Sequence, residues 1–375
     1  MPRVKMILVG GFLGAGKTTL LARAAEYLTD RGLRVALITN DQATHLVDTE
    51  LLRLAGRHVT EVSGACFCCA FNKLLYVCDE LIATHAPDVI VGEPVGSCTD
   101  LAATVIAPMK KLCGDRFDVA PYSVLVDPDK LMETMAALAT GDLSDAVRYI
   151  YEKQIAEADL VVVNKTDCLG PGKAAKIAAA IARVAPHAPV MGMSARTGDG
   201  VEAWLDRVLD GEQAGEPNSG PVGGHIVDVD YDTYAAGEAA LGWLNAAVEL
   251  TAQEPSFWND FAAAFMQQAQ QRLLAAGADI AHVKALLVSD GGRLLMNLTS
   301  NTAPLACQGG LVHPSRTTRL IVNARVRTSP ETLRGVIEDS LRSAAGDSIA
   351  STVTELTSFR PGRPEPVHRF SQSDS

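Results

Sequence analysis

The sequence predicts an α/β fold, a mostly parallel sheet flanked by helices, followed by a smaller C-terminal α+β domain. From residue 4 to about 210, short β-branched runs alternate with longer stretches of helical period, the pattern of βαβ units. Most of the runs are continuously apolar, as strands covered on both faces are. A glycine-rich loop ending in Lys17-Thr18 separates the first run from the first helical stretch.

Taken in order, the predicted strands are Val4 to Val9, Arg34 to Thr39, His58 to Val62, Asp88 to Val91, Tyr122 to Val126, Leu160 to Val163 and Pro189 to Met193. Residues 1–210 therefore form a first domain. Gly211 to Gly224, GEQAGEPNSGPVGG, has no apolar period and reads as a linker. Residues 225–360 form the second domain: a strand near His225 to Asp230, a helix over Phe257 to Ala276, strands at His282 to Ser289 and Leu294 to Thr299 around an Asp290-Gly291-Gly292 turn, a strand over Arg319 to Arg327, and a helix from Pro330 to Ala345. Phe257, Trp258, Phe261 and Phe265 recur at helical spacing and belong to its core. Arg319, Arg325 and Arg327 alternate with apolar residues and are expected on one strand face, solvated or turned to an acidic partner. Residues 361–375 read as a loose tail.

Composition narrows the function. The 375 residues are 47% hydrophobic and 21% charged, ordinary for a globular chain. A net charge of -11 disfavours nucleic acid and anionic membrane as partners. No apolar run approaches the roughly 18 residues that cross a bilayer. Arg3 and Lys5 before an apolar stretch imitate a secretory leader, but that stretch is the first strand and its loop. Eight cysteines, three of them crowded at Cys66, Cys68 and Cys69, suit a reducing cytoplasm better than a disulfide framework.

Gly11-Phe-Leu-Gly14-Ala15-Gly16-Lys17-Thr18-Thr19 fits the phosphate-loop pattern between strand and helix. Its backbone N–H groups would wrap phosphates, Lys17 would neutralise the terminal oxygens, and Thr18 would take one Mg²⁺ position. Asn164-Lys165-Thr166-Asp167 ends a later strand. Its carboxylate can accept both guanine N1–H and the exocyclic amine, which adenine does not offer, and Ser194-Ala195 follows the next strand where a backbone N–H could reach guanine O6. GTP is therefore the expected nucleotide. Asp88-Val-Ile-Val-Gly92-Glu93-Pro-Val-Gly96 delivers Glu93 to the Mg²⁺ and terminal phosphate, with the Gly96 N–H as phosphate sensor. Asn40-Asp41 closes the neighbouring strand; Asp41 reads as a metal-side ligand or water-positioning carboxylate, with a helix N-cap as the alternative.

Gly64-Ala-Cys66-Phe-Cys68-Cys69 lies between a strand and a helix starting near Phe71, where the helix dipole favours thiolate. Three thiolates suit Zn²⁺, with Co²⁺, Fe²⁺ or Cu⁺ as alternatives, and leave one tetrahedral position open for another ligand or a client. Cys98 is a candidate fourth ligand, a buried thiol being the alternative.

This combination resembles the metal-linked GTPase family of CobW, HypB and UreG: the loop GFLGAGKTTLL, Glu in the E-x-x-G motif, NKTD, and CxCC between them. The resemblance covers roughly residues 4 to 210, and CxCC marks its CobW-like branch. The segment NDQATHLVD after Thr39 is closer to the UreG style, and nothing after Gly224 matches a motif of the family's C-terminal domain. It implies a phosphate-loop NTPase fold and a GTP-dependent metallochaperone or metallocentre-assembly factor. Its partner would be a client metalloenzyme or cofactor protein, with homodimerisation possible. The alternatives are a GTPase that loads or activates a corrinoid-dependent protein, a nonenzymatic metal store that uses GTP as ligand, and a small-molecule kinase, which NKTD and CxCC disfavour.

Overall fold

The structure, a computed structural model, describes residues 3–42, 47–140, 145–210 and 221–372. Its first sheet is assembled from β1 (Val4–Gly11), β2 (Val35–Asp41), β3 (Val59–Ser63), β4 (Val89–Glu93), β5 (Phe117–Val119), β6 (Ser123–Val126), β7 (Leu160–Val163) and β8 (Val190–Gly192). The strands run in the order β3-β2-β4-β1-β6-β7-β8 with β5 also beside β1, and every pair is parallel. Helices α1 (Lys17–Asp30), α2 (Val47–Leu54), α3 (Phe71–His85), α4 (Ala107–Cys113), α5 (Pro128–Thr140), α6 (Asp145–Ala156), α7 (Lys173–Val184) and α8 (Val201–Asp210) connect them. One apolar core unites Ile7, Val9, Val91, Leu125 and Val162 of the strands with Leu20, Leu21, Ala24 and Leu28 of α1 and Trp204, Leu205 and Val208 of α8. All seven predicted strands are present; β5 is too short to announce itself in the sequence. With β1 flanked by strands reached in opposite directions, the carboxyl ends of β1, β2 and β4 open on one edge, where α/β sheets bind ligands.

After α9 (Tyr231–Ala239), the second sheet comprises β9 (Gly242–Ser256), β10 (Asp279–Ser289), β11 (Gly292–Leu298), β12 (Ala306–Leu311), β13 (Ser315–Arg327) and β14 (Ile349–Phe359), with α10 (Trp258–Ala275) and α11 (Pro330–Ala345). It is antiparallel, in the order β12-β11-β10-β13-β9-β14. Trp258, Phe265 and Leu273 of α10 and Leu333, Ile337 and Leu341 of α11 share a core with Leu244, Val248, Leu287 and Val322 of the sheet. Ser329 starts α11, its side chain accepting from the Thr332 N–H at 3.1 Å ahead of Pro330 at the first helical position. Phe257 is exposed, unlike its three expected core companions. No helix among the described residues is long and apolar enough to cross a membrane.

Several expectations are corrected. His225 to Asp230 forms no strand; its alternation imitates one, but the Asp230 carboxylate accepts from Asp232 N–H and Thr233 Oγ at 3.0 and 2.7 Å, capping α9. The interior strand β9 was not foreseen, because Gly-Trp-Leu-Asn-Ala-Ala lacks β-branched residues and is buried on both faces. The chain divides at Gly237 and Glu238 rather than at the Gly/Pro-rich stretch, and residues 47–50 group with the second unit. Within that unit Lys284 pairs with Asp48 at 2.6 Å. Residues 211–220, most of the expected linker, and the last three tail residues lie outside those described. Pro221 to Gly224 is held by the first unit, Gly223 N–H donating to both Asp159 oxygens at 3.0 and 2.8 Å. Residues 363–372, expected to be loose, also group with the first unit: Val367 and Phe370 N–H donate to Cys68 and Ala103 carbonyls, each at 3.0 Å.

Arg325 is not a surface arginine. It is 2% exposed, donates to Leu244 O, Asn245 Oδ1 and Ala324 O at 3.1, 2.8 and 2.9 Å, and lies 4.1 Å from the Trp243 ring centroid. Arg319 and Arg327 pair with Glu249 and Asp279 near the surface. Arg325→Ala is expected to destabilise the protein by about 3 kcal/mol, through unpaired carbonyls and a cavity beneath Trp243. Urea unfolding followed by tryptophan fluorescence measures it; a loss below about 1 kcal/mol would contradict the packing role.

Candidate functional site

The loop after β1 turns into α1 through glycines that no other residue replaces easily. Gly16 has φ +96°, and a Cβ there would meet Asn164 Nδ2 at 2.4 Å. Lys17 and Thr18 begin α1 and are buried. Lys17 Nζ donates to the Gly11 and Phe12 carbonyls at 2.9 and 3.4 Å and lies 3.7 Å from Glu93 Oε1. Thr18 Oγ1 donates to Glu93 Oε2 at 2.9 Å. A Cβ on Gly96 would lie 3.1 Å from Lys17 Nζ, so its backbone comes close to the same ammonium. Thr39 is the register partner of Glu93, which sets Asp41, also buried, one strand repeat beyond it. Lysine, hydroxyl and the Glu93 carboxylate thus converge at the helix N-terminus, a donor and charge set that fits a polyphosphate with a hard divalent cation.

Asn164 joins this loop to the next two. Its Nδ2 donates to Ala15 O at 2.8 Å and its Oδ1 accepts from Ala195 N–H at 2.9 Å. Lys165 has φ +60° and pairs with Asp127 at 2.5 Å. Asp167 accepts from Ser194 Oγ at 2.6 Å and from the Arg196 guanidinium; the Ser194 hydroxyl, helped by Arg196, holds its carboxyl below the usual range. Asn164, Lys165, Asp167, Ser194 and Ala195 therefore meet at one strand edge. Gly14 completes the phosphate loop with φ +80°, and Thr19 follows in α1.

The thiol loop leaves β3 and enters α3. Cys66 and Cys68 are buried and Cys69 half-buried, with Cys66 to Cys68 Sγ at 2.9 Å and Cys68 to Cys69 at 3.8 Å. All three sulfurs lie within 4.8 Å of one another, the one such His/Cys/Asp/Glu cluster among the described residues. Hydrogen bonds from Cys68, and then Cys69 and Cys98, pull the Cys66 thiol well below its ordinary range. Sharing with Cys66 pushes Cys68 well up, and Cys69 to about 11. Sharing within the cluster thus favours one thiolate at the expense of the other two thiols, and a bound cation would favour their ionisation.

Asn40 escaped the sequence reading. Its Nδ2 donates to Val62 O and Ala65 O at 2.7 and 2.8 Å, and its Oδ1 accepts from Phe67 N–H at 2.8 Å. The residue beside Asp41 therefore fastens the thiol loop. Phe67, fully buried, packs beside Gly92, where a Cβ would meet its ring at 3.7 Å. Gln154 was missed too: its Nε2 donates to Gly96 O and Cys98 O at 3.0 and 2.7 Å. The Asn-Asp pair at the strand end was the available signal for Asn40; Gln154 offered none.

With the Cys68 and Cys69 thiols pushed up, an ion that binds there would have to displace protons. Affinity for Zn²⁺ is expected to rise by about tenfold or more per pH unit between pH 6.5 and 7.5. Competition with a chelator of known pH dependence measures this, and a flat profile would contradict the protonated cluster.

The profile of the CobW/HypB/UreG nucleotide-binding domain matches residues 5–192. The chain is 28% identical to the zinc chaperone CobW of Pseudomonas aeruginosa over 218 residues, 50% of this chain and 56% of that protein. It is 29% identical to the hydrogenase maturation factor HypB of Rhizobium leguminosarum over 201 residues, 52% of this chain and 58% of that one. The match thus spans little more than half the length of these curated relatives. Among solved structures, Zn(II)-bound YjiA GTPase from Escherichia coli aligns with 90% of this chain and 99% of its own, at 19% identity and a TM-score of 0.40. With its profile matched over half the chain and its motifs gathered at one sheet edge, the protein belongs to the CobW/HypB/UreG family.

Proposed function

We propose that the protein is a GTPase that couples nucleotide state to the binding and delivery of a thiophilic divalent ion, Zn²⁺ or Co²⁺, to a client metalloenzyme or cofactor protein. The observation that carries the reading is Asn40 and Asp41, adjacent on β2, one bonded to the thiol loop and the other at the phosphate edge. The relatives named for zinc chaperoning and hydrogenase maturation support it.

Lys17 would leave the loop carbonyls to meet the terminal phosphate oxygens, and the Gly96 N–H would report that phosphate. Bound Mg²⁺ supplies charge neutralisation and in-line orientation of the phosphate. Thr18 and Glu93 would hold it, and Asp41 would complete its shell or orient the attacking water. Asp167 would accept both guanine donors after releasing Arg196, with Ala195 N–H near O6. Cys66, Cys68 and Cys69 would take the cargo ion, each thiol giving its proton to solvent. The motif set assigns no arginine to the transition state, so hydrolysis by the isolated chain is expected to be slow, with a client or a second copy accelerating it. Thiol-based cargo and the eight free cysteines support a reducing setting such as the cytoplasm as its place of work.

The reading is tested by titrating Zn²⁺ into reduced protein with GDP and with a nonhydrolysable GTP analogue plus Mg²⁺. An affinity change of tenfold or more, about 1.4 kcal/mol of coupling, is expected; equal affinities would refute the coupled cycle. Lys17→Ala is expected to abolish nucleotide binding. Asp167→Ala is expected to lower the preference for GTP over ATP by at least tenfold in competitive binding, and an unchanged ratio would remove the guanine assignment.

A further inference from the structure

Residues 363–370, Arg-Pro-Glu-Pro-Val-His-Arg-Phe, form neither helix nor strand, yet they run along the thiol loop. Pro364 and Pro366 lack an N–H and fix φ, so the stretch is stiff and offers N–H donors only at alternate residues. Both donors go to the thiol loop. Glu365 N–H donates to Cys69 Sγ at 3.2 Å, and Val367 N–H donates to Cys68 O at 3.0 Å. Cys66 and Cys68 are buried and Cys69 half-buried, so the segment touches the thiol that solvent reaches.

The two ends of this segment are fastened unequally. Arg369 donates to Asp100 Oδ2 at 2.8 Å and to Val227 O at 3.1 Å. The Asp100 side chain is 1% exposed and also accepts from Tyr231 OH at 2.7 Å, so this is a charge-assisted contact shielded from water. Phe370 N–H donates to Ala103 O at 3.0 Å, and His368 meets the Phe71 ring edge-on, 5.2 Å between centroids. At the other end Arg363 pairs with Asp232 at 2.8 Å in the open, where an ion pair adds little. The segment is thus pinned firmly at 368–370 and lightly at 363, with the thiol contacts between.

We propose that residues 363–370 are a strap that controls ion exchange at the thiol site. Closed, its N–H groups hold the loop and cover Cys69; opened, they free Cys69 for an acceptor. This rests on the thiol cluster being a metal site, as read above. A thiolate accepts an N–H hydrogen bond more strongly than a thiol does, so the loaded site grips the strap harder than the empty one. The firm anchor, Asp100, follows closely on Gly96 and holds φ +67°. The loop that would sense the terminal phosphate therefore leads to the strap's fastening.

The test follows transfer of Zn²⁺ from full-length, reduced, stoichiometrically loaded protein to excess chromogenic chelator. Glu365→Pro removes the N–H on Cys69, and Arg369→Ala removes the anchor. Each is expected to speed transfer by about tenfold, the loss of one charge-assisted hydrogen bond. Wild-type rates in both variants would overturn the strap and leave the metallochaperone reading standing. Zn²⁺ bound no more tightly by the wild type than by a variant with Cys66, Cys68 and Cys69 all changed to serine would overturn both. Hydrogen exchange of the unaltered protein answers the question even if the variants fold poorly. The Glu365 and Val367 amides are expected to exchange more slowly once Zn²⁺ is loaded, and exchange unchanged by Zn²⁺ would overturn the strap.

Discussion

The organisation of this site depends on one buried amide. Asn40 spends its donor hydrogens on Val62 O and Ala65 O and its acceptor on Phe67 N–H, so the turn carrying the thiols is tied to the end of β2. An unpaired backbone carbonyl or N–H in that buried turn would cost about 1–3 kcal/mol each, which leaves the loop little freedom while Asn40 stays in place. Because β2 pairs with β4 through Thr39 and Glu93, the same strand end stands beside the carboxylate that holds Thr18. The end of β2 thus joins the thiol loop to the strand beside Glu93 through one backbone.

A second set of buried polar groups governs the loop that follows Glu93. Gln154 holds Gly96 and Cys98 by their carbonyls, and Glu157 accepts from Ala102 N–H at 3.0 Å. Burial pushes the Glu157 and Asp100 carboxyls upward. Asp100 keeps a left-handed backbone that a non-glycine residue adopts at an energetic cost. The C-terminal stretch reinforces it, Arg369 meeting Asp100 and Val367 meeting Cys68, so both cysteine-bearing loops are secured by the same ten or so residues.

The first domain was largely legible because its signals are local. Apolar runs such as Leu160 to Val163 have one plausible fate in a parallel sheet, and the glycines before Lys17 need positive φ in this loop. The thiol cluster was legible for the same reason, its ligands being adjacent in sequence. What was not legible depends on distant partners. Residues 363–372 look featureless until Cys68, Ala103 and Asp100 are placed opposite them. Arg325 looks like a surface charge until Trp243 is laid over it, and β9 carries no β-branched run because both of its early faces are buried. The helix dipole was expected to set the thiol acidity, yet the hydrogen bonds among the cysteines themselves dominate it.

The central claim is that the two sites communicate through the end of β2. It is tested most directly by measuring the nucleotide effect on Zn²⁺ affinity in Asn40→Ala beside the wild type, a double difference that cancels any uniform loss of binding. The account predicts that the variant still binds GTP and still binds Zn²⁺, more weakly, while the ratio of affinities in the two nucleotide states falls toward one. A ratio unchanged from the wild type would show that the coupling, if present, runs elsewhere, and would contradict the role given to this strand end.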